Sequence, residues 1–257
     1  MERVRHDGRT TAYRVADRGS AERTLLFVHG SGGTHEIWKS QMSRLGGEYR
    51  VVALDLSGHG ESADVPTEDG TIARRRYVED VLAVGDAVDA DVLIGNSLGG
   101  AVVVDALLDH DPAVDAGVLV GSGAKLAVLE DLRDWLANDF DRAVEFLHGE
   151  DMLFHDPDPR LDDLSRECMR SVGRRVTERD FLASHTFDRR EDVGALDVPT
   201  LAFTGEYDRL TPPDYHEYLA EHIPDAEWTT VPDAAHLSML EAPDRFDEVL
   251  TEFLAAR

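Results

Sequence analysis

Residues 91–108 read DVLIGNSLGGAVVVDALL. Asp91-Val-Leu-Ile94 is a short continuous apolar run, the pattern of a strand buried on both faces of a parallel sheet. Gly95-Asn96-Ser97-Leu98-Gly99-Gly100 follows at once, and Val102, Val103, Ala106 and Leu107 then recur at helical spacing. This is G-x-S-x-G between a strand and a helix, the context in which the pentapeptide carries chemistry. A serine there sits on a tight, strained turn with its hydroxyl projecting from the C-terminal edge of the sheet. Side chains two positions either side would collide with neighbouring strand and helix, which accounts for Gly95 and Gly99. The helix that follows points its positive end at the site, where a developing oxyanion needs it.

Working outward, the same kind of apolar run recurs at Thr24–Val28, Arg50–Leu54, Ala116–Val120 and Thr200–Phe203, with a more polar edge strand at Glu227–Val231. Val4 to Ala16 alternates around His6-Asp7-Gly8 and reads as an opening hairpin. Helical spacing occupies the gaps, at Tyr77–Val88 and Phe246–Phe253 among others. Strands alternating with helices imply right-handed crossovers and an α/β fold with a doubly wound, mostly parallel sheet. One stretch breaks the rhythm. Residues 125–192 hold no strand-like run, only amphipathic pieces such as Leu129-Leu132-Trp135-Leu136, Phe140-Val144-Leu147 and Leu164-Cys168-Met169-Val172. That is too long for a plain connection, so it is expected to be a helical cap inserted after the sixth strand, with residues 1–124 and 193–257 forming the core. Asp156-Pro-Asp-Pro159 is its one proline-rich kink.

The chain has 257 residues, enough for one large domain. Its 52 acids against 26 bases leave a net charge of −26, and only Lys39 and Lys125 among the bases are lysines. A surface this negative repels phosphate backbones, so nucleic acid is not an expected partner. The pairs and triplets of arginine at 74–76, 174–175 and 189–190 read as solvated faces or local ion pairs. Surplus acid with scarce lysine resembles proteins of salt-loving microbes, in which dense screening relieves self-repulsion. The one cysteine, Cys168, excludes an internal disulfide and a cysteine-rich zinc module. The polar start and the lack of any apolar run near ~18 residues argue against a signal peptide or membrane span. A soluble, cytoplasmic protein that does not engage a membrane is expected.

Further motifs stand beside the serine turn: His29-Gly30-Ser31-Gly32-Gly33 with Trp38 beyond it, Asp55-Leu-Ser-Gly58-His59-Gly60-Glu-Ser62, Pro199-Thr-Leu-Ala-Phe-Thr-Gly-Glu-Tyr-Asp208, and Asp233-Ala-Ala-His236. Together they resemble the α/β-hydrolase superfamily nearly end to end. The resemblance specifies the superfamily and not one activity within it.

A serine hydroxyl needs a base within hydrogen-bond reach, and the base needs an orienting acid. The resemblance assigns these roles to His236, on a loop before the last helix, and to Asp208, just past the strand Thr200–Phe203; Ser97, Asp208, His236 is the chain order expected of this fold. Glu206 is the nearest rival acid, while Gly121-Ser122-Gly123 offers no acid after the sixth strand. Backbone N–H groups of Ser31 and Leu98 are the expected oxyanion hole. His29, His59 and Ser62 read as groups that fix turns. Seven large cap side chains (Trp135, Phe140, Phe146, Met152, Phe154, Met169, Phe181) are candidates for a pocket, two or three of them facing it; Trp135, Phe140 and Phe154 are the expected substrate contacts.

Serine at the turn argues against relatives that build an alkyl ester on aspartate. No metal or other cofactor is called for, since zinc-type spacings and a phosphate-cradling lysine loop are missing from the sequence. The first reading is therefore a carboxylesterase-like serine hydrolase acting on a small, largely apolar ester or related acyl substrate through an acyl-enzyme. A perhydrolase or haloperoxidase-like side activity would use the same triad. A non-hydrolytic triad enzyme (a lyase, or one cleaving carbon–carbon bonds) and a small-molecule receptor on the same fold are the alternatives. Oligomeric state is not encoded legibly.

Overall fold

The computed structural model describes residues 1–19 and 21–257. Eight strands form one sheet: β1 (Glu2–His6), β2 (Arg9–Ala16), β3 (Thr24–Val28), β4 (Arg50–Leu54), β5 (Val92–Asn96), β6 (Ala116–Val120), β7 (Thr200–Gly205) and β8 (Ala226–Val231). Their spatial order is β1-β2-β4-β3-β5-β6-β7-β8. The β1–β2 hairpin joins antiparallel, β2 pairs antiparallel with β4, and every later pairing is parallel. Among the described residues there are ten α-helices, besides short 3-10 turns at His35–Trp38 and Val193–Ala195: α1 (Lys39–Leu45), α2 (Gly70–Val88), α3 (Leu98–His110), α4 (Glu130–Asn138), α5 (Phe140–Leu147), α6 (Pro159–Val172), α7 (Arg174–His185), α8 (Pro213–His222), α9 (Ser238–Glu241) and α10 (Pro243–Ala255).

The central strands are apolar throughout because both faces are covered. On β3, Leu25 and Phe27 join Trp38, Met42 and Phe246 on the side of α1 and α10. Leu26 and Val28 point the other way, into Tyr77, Val81 and Val102 of α2 and α3. The period of two along a strand thus feeds two separate apolar layers. Strand β5 starts one residue later than its apolar run and continues through Gly95 to Asn96, in register with Leu119 and Val120 of β6.

Helices α4–α7 all lie between β6 and β7. The two ends of this segment meet: Arg189 N–H donates to Ala124 O at 2.7 Å, and Lys125 bridges to Asp188. The Asp156–Pro159 kink is a helix start, since Asp158 accepts from Arg160 N–H and Pro159 takes the first helical position of α6, where its missing N–H costs nothing. The arginine runs hold both local ion pairs and a solvated side chain: Arg74 and Arg189 reach Asp105 at 2.8 Å and Arg190 pairs with Asp188, while Arg75 is exposed. No helix among the described residues is long and apolar enough to cross a membrane.

With β3 to β8 parallel, their C-terminal ends share one edge. The loops after β3, β5, β6, β7 and β8 deliver Gly30–Gly33, Ser97, Gly121-Ser122, Asp208 and His236 to it, at the edge where doubly wound sheets build their sites.

Candidate active site

Ser97 occupies the turn between β5 and α3 with φ 55° and ψ −118°, a left-handed conformation that a non-glycine residue adopts only when its surroundings enforce it. The enforcement is visible on both flanks. A Cβ on Gly95 would stand 2.3 Å from Gly99 O, and a Cβ on Gly99 would stand 2.5 Å from Val28 O. Helix and strand approach the turn too closely for any larger residue, as the motif spacing implies. Ser97 N–H donates to Val120 O at 2.9 Å, and the Ser122 hydroxyl donates to Ser97 O at 3.0 Å, anchoring the turn to the neighbouring strand end.

Asp208 and His236 come together across the ends of β7 and β8. His236 Nδ1 lies 2.9 Å from Asp208 Oδ2. Asp208 is buried, and all its lone pairs are engaged: Oδ2 also accepts from the hydroxyls of Thr204 (2.5 Å) and Thr211 (2.8 Å), and Oδ1 accepts from the N–H groups of Leu210 (2.8 Å) and Thr211 (2.9 Å). Burial alone would raise its pKa, but the His236 ring and these donors hold it below the ordinary carboxylate value, so it stays ionised and fixes the ring with Nδ1 protonated. Glu206, the rival acid, is exposed. Thr204 and Thr211 flank Asp208 in the sequence without any role assigned to them there. The signal for Thr211 is local, a threonine three residues past an aspartate at a turn, the pattern in which the aspartate side chain collects the following N–H groups.

Ser97 and His236 line the same cavity, of about 590 Å³, together with Gly30, Ser31, Gly32 and Gly33. Gly30 packs directly on the serine turn: a Cβ there would meet Ser97 Cβ at 3.0 Å and Asn96 Oδ1 at 2.9 Å. Among the described residues neither the Ser31 nor the Leu98 N–H donates to a protein acceptor, which leaves both free for an oxygen in the cavity.

Histidines 29 and 59 brace these loops. His29 is fully buried, with Nδ1 2.8 Å from Gly30 O and Nε2 accepting from Leu56 N–H at 3.1 Å. Burial and the neighbouring His59 charge hold its pKa at about 4, so it is neutral. Ser62 accepts from Ala12 N–H at 2.8 Å and donates to Asp55 O at 2.5 Å. Asp55 receives the backbone and ring N–H of His35, both at 2.8 Å; these outweigh its burial and bring its pKa to about 2. The Asp55–Ser62 motif is thus a clamp that fixes the loop after β4.

The cavity walls are apolar. Phe146, Met152, Met169 and Phe181 face it, and the charged residues on its border, Glu36, Lys39 and Arg209, are exposed and paired, Lys39 with Glu36 and Arg209 with Asp151. Four of the seven candidate cap side chains therefore reach it, more than expected. The three expected substrate contacts do not. Trp135 lies against Phe146, ring centres 5.3 Å apart, under the Arg142 guanidinium at 4.4 Å; Phe140 packs on the core from α5; Phe154 is buried beside His148. Phe154 is turned into the protein, whereas Trp135 and Phe140 are half-buried, Trp135 bordering a separate opening with Leu129 and Phe146. This rotation of a helix about its axis is the part that spacing alone leaves undetermined.

Residues 25–249 match the family model described as "Alpha/beta hydrolase family". The chain belongs to that family. It is an α/β-fold hydrolase, and relatives of known activity align over nearly its full length. It is 30% identical over 94% of its length to the pimeloyl-(acyl-carrier protein) methyl ester esterase of Photorhabdus laumondii, covering 95% of that protein. It is 27% identical over 99% of its length to the 2-hydroxy-6-oxo-6-(2'-aminophenyl)hexa-2,4-dienoic acid hydrolase of Metapseudomonas resinovorans, covering 90% of that protein. Among solved structures, that of a thermophilic esterase superposes with a TM-score of 0.86 at 32% identity, spanning 99% of this chain and 97% of the other.

Proposed function

We propose that the protein is a serine hydrolase that cleaves a small, largely apolar ester or related acyl substrate through a Ser97-His236-Asp208 triad. The observation that carries this reading is the buried, fully hydrogen-bonded Asp208 holding His236 at 2.9 Å on the cavity into which the strained Ser97 opens. Ser97 Oγ attacks the carbonyl carbon while His236 Nε2 takes its proton; the Ser31 and Leu98 amides receive the oxyanion. The leaving group departs protonated by His236, and water repeats the sequence on the acyl-enzyme.

The apolar walls and the confinement of charge to the rim support an acyl or ring moiety without a buried charge, since an unpaired ion inside such a cavity is costly. Helices α4–α7 supply Leu132, Phe146, Met169 and Phe181 to those walls, which supports their reading as a cap that selects substrate size. Esterases and a dienoic acid hydrolase stand among the relatives, so the leaving group is the open variable.

A panel of aryl esters, lactones and diketones in molar KCl, run beside Ser97→Ala, tests the proposal. Ester turnover lost in Ser97→Ala supports it. Diketone cleavage without ester turnover would favour carbon–carbon chemistry, and a stable acyl-enzyme with negligible turnover would favour a receptor.

A further inference from the structure

Helix α7 buries the stripe Val176, Thr177, Asp180, Ala183 and Ser184. Spacings of three and four put these residues on one face, and an aspartate stands in the middle of it with no solvent exposure. An uncompensated buried carboxylate is expensive. Here three donors from three separate elements converge on it. Asp180 Oδ2 accepts from Gly32 N–H at 2.9 Å and from His59 Nε2 at 2.8 Å, while Oδ1 accepts from the Tyr77 hydroxyl at 2.6 Å. His59 Nδ1 faces Leu56 O at 3.3 Å, so both ring nitrogens meet acceptors and both carry protons. Arg179 closes the arrangement, with Nη2 on Ser57 O at 3.0 Å and Nε on Tyr77 Oη at 3.1 Å.

Gly32 belongs to the Gly30–Gly33 turn, closed by Gly33 N–H to Gly30 O at 3.2 Å. That turn holds Ser31 and rests through Gly30 on the serine turn. Gly32 has φ 66°, and a Cβ on it would meet Met169 Cγ at 3.1 Å and Thr177 Cγ2 at 3.2 Å, so α6 and α7 press on it from the insertion side. Among the described residues, the Asp180 carboxylate is the one acceptor for its amide.

We propose that Asp180 is a positioning residue for acyl transfer: from the insertion it holds the Gly32 amide and so keeps the Ser31 N–H aimed at the developing oxyanion. The proposal rests on the triad reading above. It makes α7 a support for the chemistry as well as a wall of the pocket.

The test compares Asp180→Ala, Asp180→Asn and Tyr77→Phe with the wild type on an activated aryl ester, each rate referred to active sites titrated with a fluorophosphonate. A trifluoromethyl ketone that mimics the tetrahedral intermediate is titrated in parallel. Losing an oxyanion donor costs about 10²- to 10³-fold and a displaced one part of that, so Asp180→Ala is expected to lower kcat about 10- to 100-fold with KM little changed. The ketone is expected to weaken by the same factor. Asp180→Asn falls between, because its amide oxygen still accepts from Gly32. A purely structural role would lower Tm and the titratable fraction while leaving kcat per site and ketone affinity at wild-type values, and that result overturns the proposal. Should both Asp180 variants fail to fold, Tyr77→Phe decides: it frees one carboxylate oxygen while keeping the ring, and the expected result is a smaller loss of the same kind, whereas unchanged kcat and ketone affinity overturn it. Ser97→Ala separates the two readings. If it keeps its turnover, the triad fails and the positioning role with it; if it is inactive while the Asp180 and Tyr77 variants behave as wild type, only the positioning role fails.

Discussion

Acid is expected to loosen the fold through His216, a fully buried histidine on α8. Its Nε2 accepts from Ser122 N–H at 3.1 Å, and its Nδ1 faces Pro212 O at 3.4 Å, which fixes one neutral tautomer. Burial holds its pKa at about 4, against about 6.5 in an unfolded chain. A base whose folded pKa is depressed takes up its proton on unfolding, so stability is complete above about pH 6.5 and falls as pH drops toward about 4. The whole window is worth about 3 kcal/mol, of which about 2 kcal/mol is lost between pH 7.5 and pH 5. Urea midpoints in molar KCl at those two pH values, for the wild type and for His216→Gln, isolate the group. Glutamine can still accept from Ser122 N–H but does not titrate. His29, with its pKa also near 4, the oppositely shifted His59 and the carboxylates are common to both proteins and cancel. The wild type is expected to lose about 2 kcal/mol more than the variant on acidification. Equal losses would show that His216 does not carry the acid sensitivity.

Other consequences are as direct. Asp208→Asn is expected to cut kcat on an activated ester by about 10³- to 10⁴-fold, while Glu206→Gln leaves it unchanged; the reverse pattern would move the acid to Glu206. Gly99→Ala forces a Cβ to 2.5 Å from Val28 O and 2.7 Å from His29 O, so its urea midpoint is expected to report a loss of at least about 2 kcal/mol, and an unchanged midpoint would deny that packing. Phe181→Ala opens the cavity wall and is expected to move the acyl-chain optimum to longer chains, whereas Phe140→Ala, away from the cavity, leaves the optimum in place. The net charge of −26 is expected to make Tm fall when KCl is removed, because the screening length grows from ~3 Å at 1 M to ~30 Å at 0.01 M; a Tm indifferent to salt would end the salt-adapted reading.

The strands and the serine turn were legible because each obeys a local rule. A run such as Ala116–Val120 has no polar residue to place outside, so it sits between two helical layers. Gly95 and Gly99 announce close approaches that the backbone then makes. Helices α1 and α8 were harder to see, since α1 buries Gln41 with Met42 and Leu45, and α8 buries His216 with Leu219, and two or three inward positions make little pattern. The pocket wall is illegible in the sequence for a different reason. Trp135 and Phe146 are equally apolar and in contact, and only the packing of α4 on α5 decides that Phe146 faces the cavity. Asp180 was lost among 52 acids. What marks it is an acid inside the stripe Val176, Thr177, Ala183, Ser184, where a buried helix face leaves no room for an unpartnered charge.

In the proposed chemistry one alcohol becomes a nucleophile because a remote imidazole removes its proton. This step is tested most directly by mixing the protein with an activated aryl ester, quenching in acid within milliseconds, and locating the adduct by peptide mass spectrometry. The expected result is one acyl group on Ser97, formed in the wild type, absent in Ser97→Ala and strongly slowed in His236→Ala. An adduct on another residue, or full turnover in Ser97→Ala, would contradict it.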